Sequence, residues 1–352
     1  MSLLVPCQVA REDGSRYFRV MECIQQITDP RLRDAVSKTG ITSCDELVEL
    51  TARRAGITSL SGLEAFANLR KIDLEGNEID DLSPLKALHS LTGLYLGNNR
   101  ISDISPLRSL SRLPAVDLHG NQIKDLEAFR GTRALTWFDV SNNHVESLQP
   151  LVDCDFLTVL SAHDNRIRTV GGIDRLDRLR HLNLDANSLS GRLKLPHNLK
   201  SLRNISLARN SIAAIDSGKV QLPIEHLNLA GNKVTDIRFL SRMPLLRSLN
   251  LSENPVPDLR PIQHCTLLKV LYAWHTGITS LAGVEMLTEL EELGVADNRI
   301  ADLTVLREMR NLRLLYLGGN QRIPEDDLSA LRSIVQEDFR SPIWRTGEHQ
   351  FR

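Results

Sequence analysis

The chain of 352 residues is 41 % hydrophobic and 4 % aromatic, with a formal net charge of −1. A charge so near zero argues against nucleic acid or an anionic membrane surface as the main partner. No apolar run approaches the roughly 18 residues that a membrane-spanning helix needs.

Residues 1 to about 26 show no clear period. The opening MSLLVPCQVAREDGSRYF has no basic leader region, and Pro6 interrupts its apolar stretch, so no secretory signal is expected. The cysteines, Cys7, Cys23, Cys44, Cys154 and Cys265, are odd in number and form no C-x-x-C pair. Reduced thiols are the expectation. TDPRLRDAVSKTG then predicts a helix. Thr28 or Asp29 caps it, Pro30 sits in its first turn, Leu32, Ala35 and Val36 form one apolar stripe, and Gly40 stops it. Ser43 and Glu46 stand at capping-box spacing. Residues 1–46 are therefore expected to be a lead-in and helical cap, shielding the apolar end and the open strand edge of the first repeat.

From residue 47 the chain repeats itself. The stretch LRKIDLEGNEIDDLSPL, Leu69 to Leu85, is marked by Asn77. Its slot recurs at Asn99, Asn121, Asn143, Asn165, Asn187, Asn210, Asn232, Asn254, Thr276, Asn298 and Asn320, with Ala55 in a degenerate first copy. The step is 22 residues everywhere except between Asn187 and Asn210, where it is 23. A fixed period with L-x-x-L-x-L-x-x-N is the leucine-rich-repeat frame. Leu69, Ile72 and Leu74 face inward, and Asp73 points outward as strand alternation requires. The asparagine amide can satisfy backbone groups buried in the turn. Asp or Ser before Pro, as in EIDDLSPL, suits a short 3₁₀ return rather than a long helix. The expected fold is thus α/β: a solenoid of about 13 coils over residues 47–320, curved like a horseshoe, with a parallel sheet on the concave face and short 3₁₀ or irregular segments on the convex side. The irregular GRLKLPHNLKSL and DSGKVQLPIEHL predict a bulge or bend on the outer side. Residues 321–352 are expected to form a C-terminal cap helix and tail, with Leu328, Leu331, Ile334 and Val335 at helical spacing and Trp344 over the last coil.

A short helical cap running into coils of the type N-x-I-x-D-I-x-P-L resembles the internalin-type leucine-rich-repeat family of bacteria. Asn77, Ile79, Asp81, Leu82, Pro84 and Leu85 carry the pattern, as do Asn99, Ile101, Asp103, Ile104, Pro106 and Leu107. The 22-residue repeat of cytosolic phosphatase regulators is similar. The resemblance covers about residues 27 to 325 and implies a protein binder that works through its concave sheet. The immunoglobulin-like segment, wall anchor and signal of surface internalins have no counterpart in this sequence. A cytoplasmic protein is expected, with secretion or translocation by a bacterium as the alternative.

The frame also sorts residues by face. Five of the seven Tyr and Trp residues, Tyr95, Trp137, Tyr272, Trp274 and Tyr316, fall on outward strand positions. Tyr and Trp are the usual anchors of protein interfaces. Near the C-terminal end, Val270, Tyr272, Trp274, Leu314 and Tyr316 form one expected partner site, and small neighbours such as Gly294 and Ala296 leave lateral room for an inserted side chain. A central polar group, Asp117, His119, Trp137, Asp139, His163, Asp164, His181 and Asp185, invites a metal or acid–base alternative. However, His119 and His163 stand two strands apart, about 9.6 Å, too far to share a zinc ion. His163 and Asp185 could pair. His163 and its neighbours read as a pH-sensitive recognition patch. N-I-S at Asn204 and N-L-S at Asn250 match the glycosylation pattern by chance. No G-x-S-x-G, H-E-x-x-H, Walker A or G-x-G-x-x-G sequence occurs. The expectation is a non-enzymatic, monomeric module without cofactor or metal, binding a protein or peptide; a regulator acting through its outer surface or ends is the other alternative.

Overall fold

The computed structural model describes residues 22–196, 198–320 and 323–331. The chain divides into two compact units between Leu157 and Thr158. In the first, five parallel strands lie in chain order: β1 (Glu49–Thr51), β2 (Lys71–Asp73), β3 (Gly93–Tyr95), β4 (Ala115–Asp117) and β5 (Trp137–Asp139). Leu50, Ile72, Leu94, Val116 and Phe138 align across them, and all are buried. In the second unit eight more follow the same rule: β6 (Val159–Ser161), β7 (His181–Asn183), β9 (Asn204–Ser206), β11 (His226–Asn228), β12 (Ser248–Asn250), β13 (Val270–Tyr272), β14 (Glu292–Gly294) and β15 (Leu314–Tyr316). Burying one aliphatic side chain per strand at roughly 25 cal/mol per Å² fixes the register, because a one-residue slip would turn every such side chain to solvent.

The return segments are short 3₁₀ turns, as the Asp/Ser-Pro pattern predicts. Ser83–Ala87 and Ser105–Ser109 each take a proline in the first turn. Their leading N–H groups, of Ser83 and Ser105, each donate to an aspartate two residues earlier, Asp81 and Asp103, at 2.8 Å. The irregular region does more than bulge. β8 (Ser190–Lys194) and β10 (Ser211–Asp216) form a second, two-stranded parallel sheet with a register shift between Ile212 and Ala214. Isolated short runs such as GRLK carry little strand signal, so sequence periodicity passes over this pair.

Asparagine ties coil to coil. Asn99 Nδ2 donates to Leu74 O of the preceding coil at 3.1 Å and to Leu96 O of its own at 2.9 Å, while its Oδ1 accepts from Ile79 N at 3.0 Å. The same three-way contact recurs at Asn121, Asn143, Asn232 and Asn254. Thr276 reproduces part of it: its hydroxyl reaches Ala273 O at 3.1 Å, but Val256 N, which an asparagine there would receive, instead donates to Asn254 O.

The residue just before each asparagine slot carries a demand that its identity hides. Arg54, Asn98, Asn142, Asp164, Ala186, Arg209, Glu253, His275 and Asp297 all have φ between 50° and 56°, and Gly76, Gly120, Gly231 and Gly319 fill the remaining slots with positive φ. An L-residue held left-handed costs about 1–2 kcal/mol, which glycine avoids. Ala186→Gly should therefore raise stability by about 0.5–1 kcal/mol after the glycine's greater unfolded-state entropy is subtracted. A higher urea midpoint is the expected result; a lower one would mean that the slot is unstrained.

The N-terminal cap is helix α1 (Pro30–Ser37). Asp29 Oδ1 caps it from Arg31 N and Leu32 N, while Oδ2 accepts from Thr58 N at 2.8 Å, fastening the cap to the first coil. Burial would raise this carboxyl, but the N–H groups and the Thr58 hydroxyl outweigh it and hold it below the ordinary carboxylate value. The Ser43–Glu46 capping box is not formed: Ser43 makes no cap bond, and Glu46 accepts instead from Thr42 N at 2.7 Å. In the three-residue 3₁₀ turn Cys44–Glu46 the Glu46 N–H, which a Ser43 side-chain cap would need, donates to Ser43 O at 3.1 Å instead. The reduced-thiol expectation also fails at one pair, since Cys23 and Cys44 are joined by a disulfide that links the helical residues 22–26 to this turn. Cys7 lies outside the described residues. At the other end, helix α2 (Glu325–Leu331) occupies the start of the expected C-terminal cap, and Ile334, Val335 and Trp344 lie outside the described residues. Among the described residues no helix is long and apolar enough to cross a membrane.

Candidate functional site

On the open face of the first unit, Tyr95 and Trp137 are half-buried, with ring centroids 6.4 Å apart. Lys71 Nζ lies 5.5 Å from the centre of the Tyr95 ring, a cation–π distance. Beside them Arg53 forks onto Asp73, with Nε and Nη2 at 2.9 and 2.6 Å from Oδ2.

Asp117 and Asp139, two of the expected polar-patch residues, serve the backbone. Leu96 O already accepts from Asn99 and Asn121 at 2.9 and 3.0 Å, so His119 N turns to Asp117 Oδ1 at 3.1 Å. Ser141 N does the same with Asp139 Oδ1 at 2.9 Å, and Asn183, Asn228 and Asn250 repeat the arrangement in the second unit. Asp117 also accepts from His119 Nδ1 at 2.6 Å, and Gly97 leaves the space that the imidazole fills. That bond holds the imidazole above its ordinary value of 6.5, against the opposing effect of burial. A folded-state value above the unfolded one gives stability that is complete below pH 6.5 and is lost as pH rises through the folded value. His119→Gln should therefore lose most stability relative to the parent in mildly acid buffer, and the gap should close in alkaline buffer. Urea unfolding across that range reads it; a gap that widens with pH would contradict it.

In the second unit His163 and Asp185 do not pair. His163 Nδ1 meets Asp164 Oδ2 at 2.8 Å, and Asp185 Oδ1 accepts from Ser206 Oγ at 2.5 Å and Ala208 N at 2.6 Å. Burial raises the Asp185 carboxyl and lowers the His181 and His226 imidazoles. Among the described residues no group of three or more His, Cys, Asp or Glu is placed to hold a metal ion. Cys154 and Cys265 are buried core thiols whose burial pushes them up to about 12, far from a reactive thiolate.

Strands β13–β15 and the residues just after β13 carry three aromatic rings, Tyr272, Trp274 and Tyr316. The register sets Val270, Glu292 and Leu314 in one row and Tyr272, Gly294 and Tyr316 in the next. The room expected beside Gly294 is already occupied. A Cβ there would stand 2.2 Å from Trp274 Nε1 and 2.7 Å from Tyr272 Cδ1, because both rings lean across the glycine. Tyr272 is consequently only 5 % exposed, its ring 5.2 Å from that of Trp274. Val270, Trp274, Leu314 and Tyr316 remain half-buried and form the accessible part. Beyond the strand ends, a cleft of about 870 Å³ continues from Trp274 past Thr276 and Gly277 to Glu253, Asp297 and Arg299. Sequence reasoning passed over Glu292, whose Oε1 accepts the Tyr272 hydroxyl. Its place in the Val270 row was the available signal.

Residues 89–131 and 224–264 match the family described as Leucine Rich repeats (2 copies). No curated protein matches the chain. Among solved structures, an internalin from Listeria monocytogenes superposes with a TM-score of 0.80 at 24 % identity, over 90 % of this chain and 97 % of that one. A leucine-rich-repeat protein of Leptospira interrogans gives 0.66 at 21 % identity, over 80 % and 81 %. The LRIM1/APL1C complex gives 0.65 at 24 % identity, over 75 % of this chain and 50 % of that one. Leucine-rich-repeat proteins typically mediate protein–protein interaction. The 22-residue asparagine ladder and these likenesses together give the chain the leucine-rich-repeat fold, similar to that of the internalin.

Proposed function

We propose that the chain is a non-enzymatic module that binds a protein or peptide along its open strand face, the face expected to be concave, and that it does so as a single copy without cofactor. The observation that carries this is the half-exposed set Val270, Trp274, Leu314 and Tyr316, on a face that strand alternation separates from the core. Tyr95 and Trp137, with His163, are secondary contacts. An apolar and aromatic surface of this kind favours association by removing ring area from water. The assembly of LRIM1 with APL1C, of similar fold, supports partner binding by such repeats. The Cys23–Cys44 bond fits an oxidising compartment, so we place the module outside the reducing cytoplasm, secreted or translocated.

Photo-crosslinking tests the choice of face. A benzoylphenylalanine at Val270 or Leu314 should capture the partner, and one at Met286, half-exposed on the return side, should not. Capture from Met286 alone would move the interface to the outer surface.

A further inference from the structure

If the strand face is the binding surface, as proposed above, one residue on it constrains the chemistry of the partner. Glu292 sits between Val270 and Leu314 in one row, and diagonally between Tyr272 and Tyr316 in the next. The Tyr272 hydroxyl donates to its Oε1, and the Tyr316 hydroxyl is near enough to feel its charge. Acidic side chains at the strand rim nearby are paired with cations: Glu291 with Lys269 at 2.6 Å, and Glu225 with Arg203 at 3.3 Å and Arg247 at 3.7 Å. Among the described residues Glu292 forms no ion pair with Lys, Arg or His. It is half-buried between two aliphatic side chains.

A neutral hydroxyl satisfies a lone pair of a carboxylate but does not balance its charge. When a partner covers this patch, water leaves, and an unbalanced carboxylate becomes costly. An apolar or acidic group placed over it would meet that cost in full. A cation would remove it, and would at the same time lie near the half-exposed rings of Trp274 and Tyr316, whose quadrupoles attract positive charge. We propose that Glu292 receives a lysine or arginine side chain of the partner, beside Tyr316 and flanked by Val270 and Leu314.

Selection of a random peptide library on the intact chain tests this, with Trp274→Ala, Glu292→Gln and Glu292→Lys as comparison baits. The glutamine keeps an oxygen for the Tyr272 hydroxyl, and an unchanged urea midpoint checks that the fold is retained. Peptides that lose binding to Trp274→Ala should carry Lys or Arg. Their affinity should fall about tenfold or more on Glu292→Gln, and by no further amount when that Lys or Arg is also replaced by norleucine or citrulline. Glu292→Lys should turn selection toward Asp and Glu. Peptides that need Trp274 yet bind Glu292→Gln unchanged would overturn the cation site and leave the strand-face reading standing. A library yielding only peptides indifferent to Trp274→Ala, or none, would overturn both.

Discussion

Asn254→Ala should lower the unfolding free energy by about 3–5 kcal/mol, a large share of what a folded chain possesses. Asn254 is 1 % exposed, and its amide donates to Leu229 O at 2.8 Å and Leu251 O at 3.0 Å while accepting from Val234 N at 2.9 Å. Alanine leaves Leu251 O and Val234 N, drawn from two coils, buried without partners, at about 1–3 kcal/mol for each that water cannot reach, while Leu229 O keeps the Asn232 amide at 2.9 Å. The loss exceeds that of an ordinary core truncation because two coils are loosened at once. Urea denaturation reads it. Asn254→Thr should cost roughly half as much, since the hydroxyl of Thr276 shows which part of the contact survives: the bond to its own coil, not the one to Val256 N. The reciprocal Thr276→Asn should gain about 1 kcal/mol by completing the missing bond. A harmless Asn254→Ala would mean that the ladder is ornamental.

Trp274→Ala should weaken partner binding by about 2 kcal/mol or more, some 30-fold, with an unchanged unfolding midpoint. The ring is set before any partner arrives, leaning over Gly294 and against Tyr272 at 5.2 Å. Little side-chain freedom is then lost on binding, which is where an exposed flexible anchor would forfeit affinity. It lies on the face opposite the buried Leu271 and Ala273, so truncating it opens no core cavity. Tyr272 acts differently. At 5 % exposure it offers a partner almost no area, and its part is to support Trp274 and hold Glu292. Tyr272→Ala therefore lowers affinity by letting Trp274 sag, while Tyr272→Phe, which keeps the ring and loses only the bond to Glu292, should lower it less.

How much residues alone reveal depends on what each residue must do. Asn99 and its counterparts are legible because few side chains both donate and accept at that position; the Asp81–Ser83–Pro84 turn is legible because each residue has a local role. The left-handed slot is not legible, because Arg209, Ala186 and His275 occupy it as well as glycine. There the conformation is imposed by backbone bonds to the next coil, such as Ala186 N to Ala208 O, and not by the side chain. Strand alternation places Tyr272 and Trp274 on the correct face but cannot show that they lean over Gly294 and close the gap expected there. Asp117 and Asp139 look like recognition residues in sequence, since only the crowded carbonyls of the asparagine ladder reveal why His119 N and Ser141 N need them. Cys23 sits in an unpatterned lead-in, so its approach to Cys44 has no periodic signature.

The most direct test of binding through the strand face is a paired affinity measurement on one captured partner, with Trp274→Ala and Met286→Ala titrated side by side. The expected result is a loss of about 30-fold for Trp274→Ala and parent-like affinity for Met286→Ala. Parent-like affinity for Trp274→Ala together with a loss at Met286 would contradict it and place the partner on the return side.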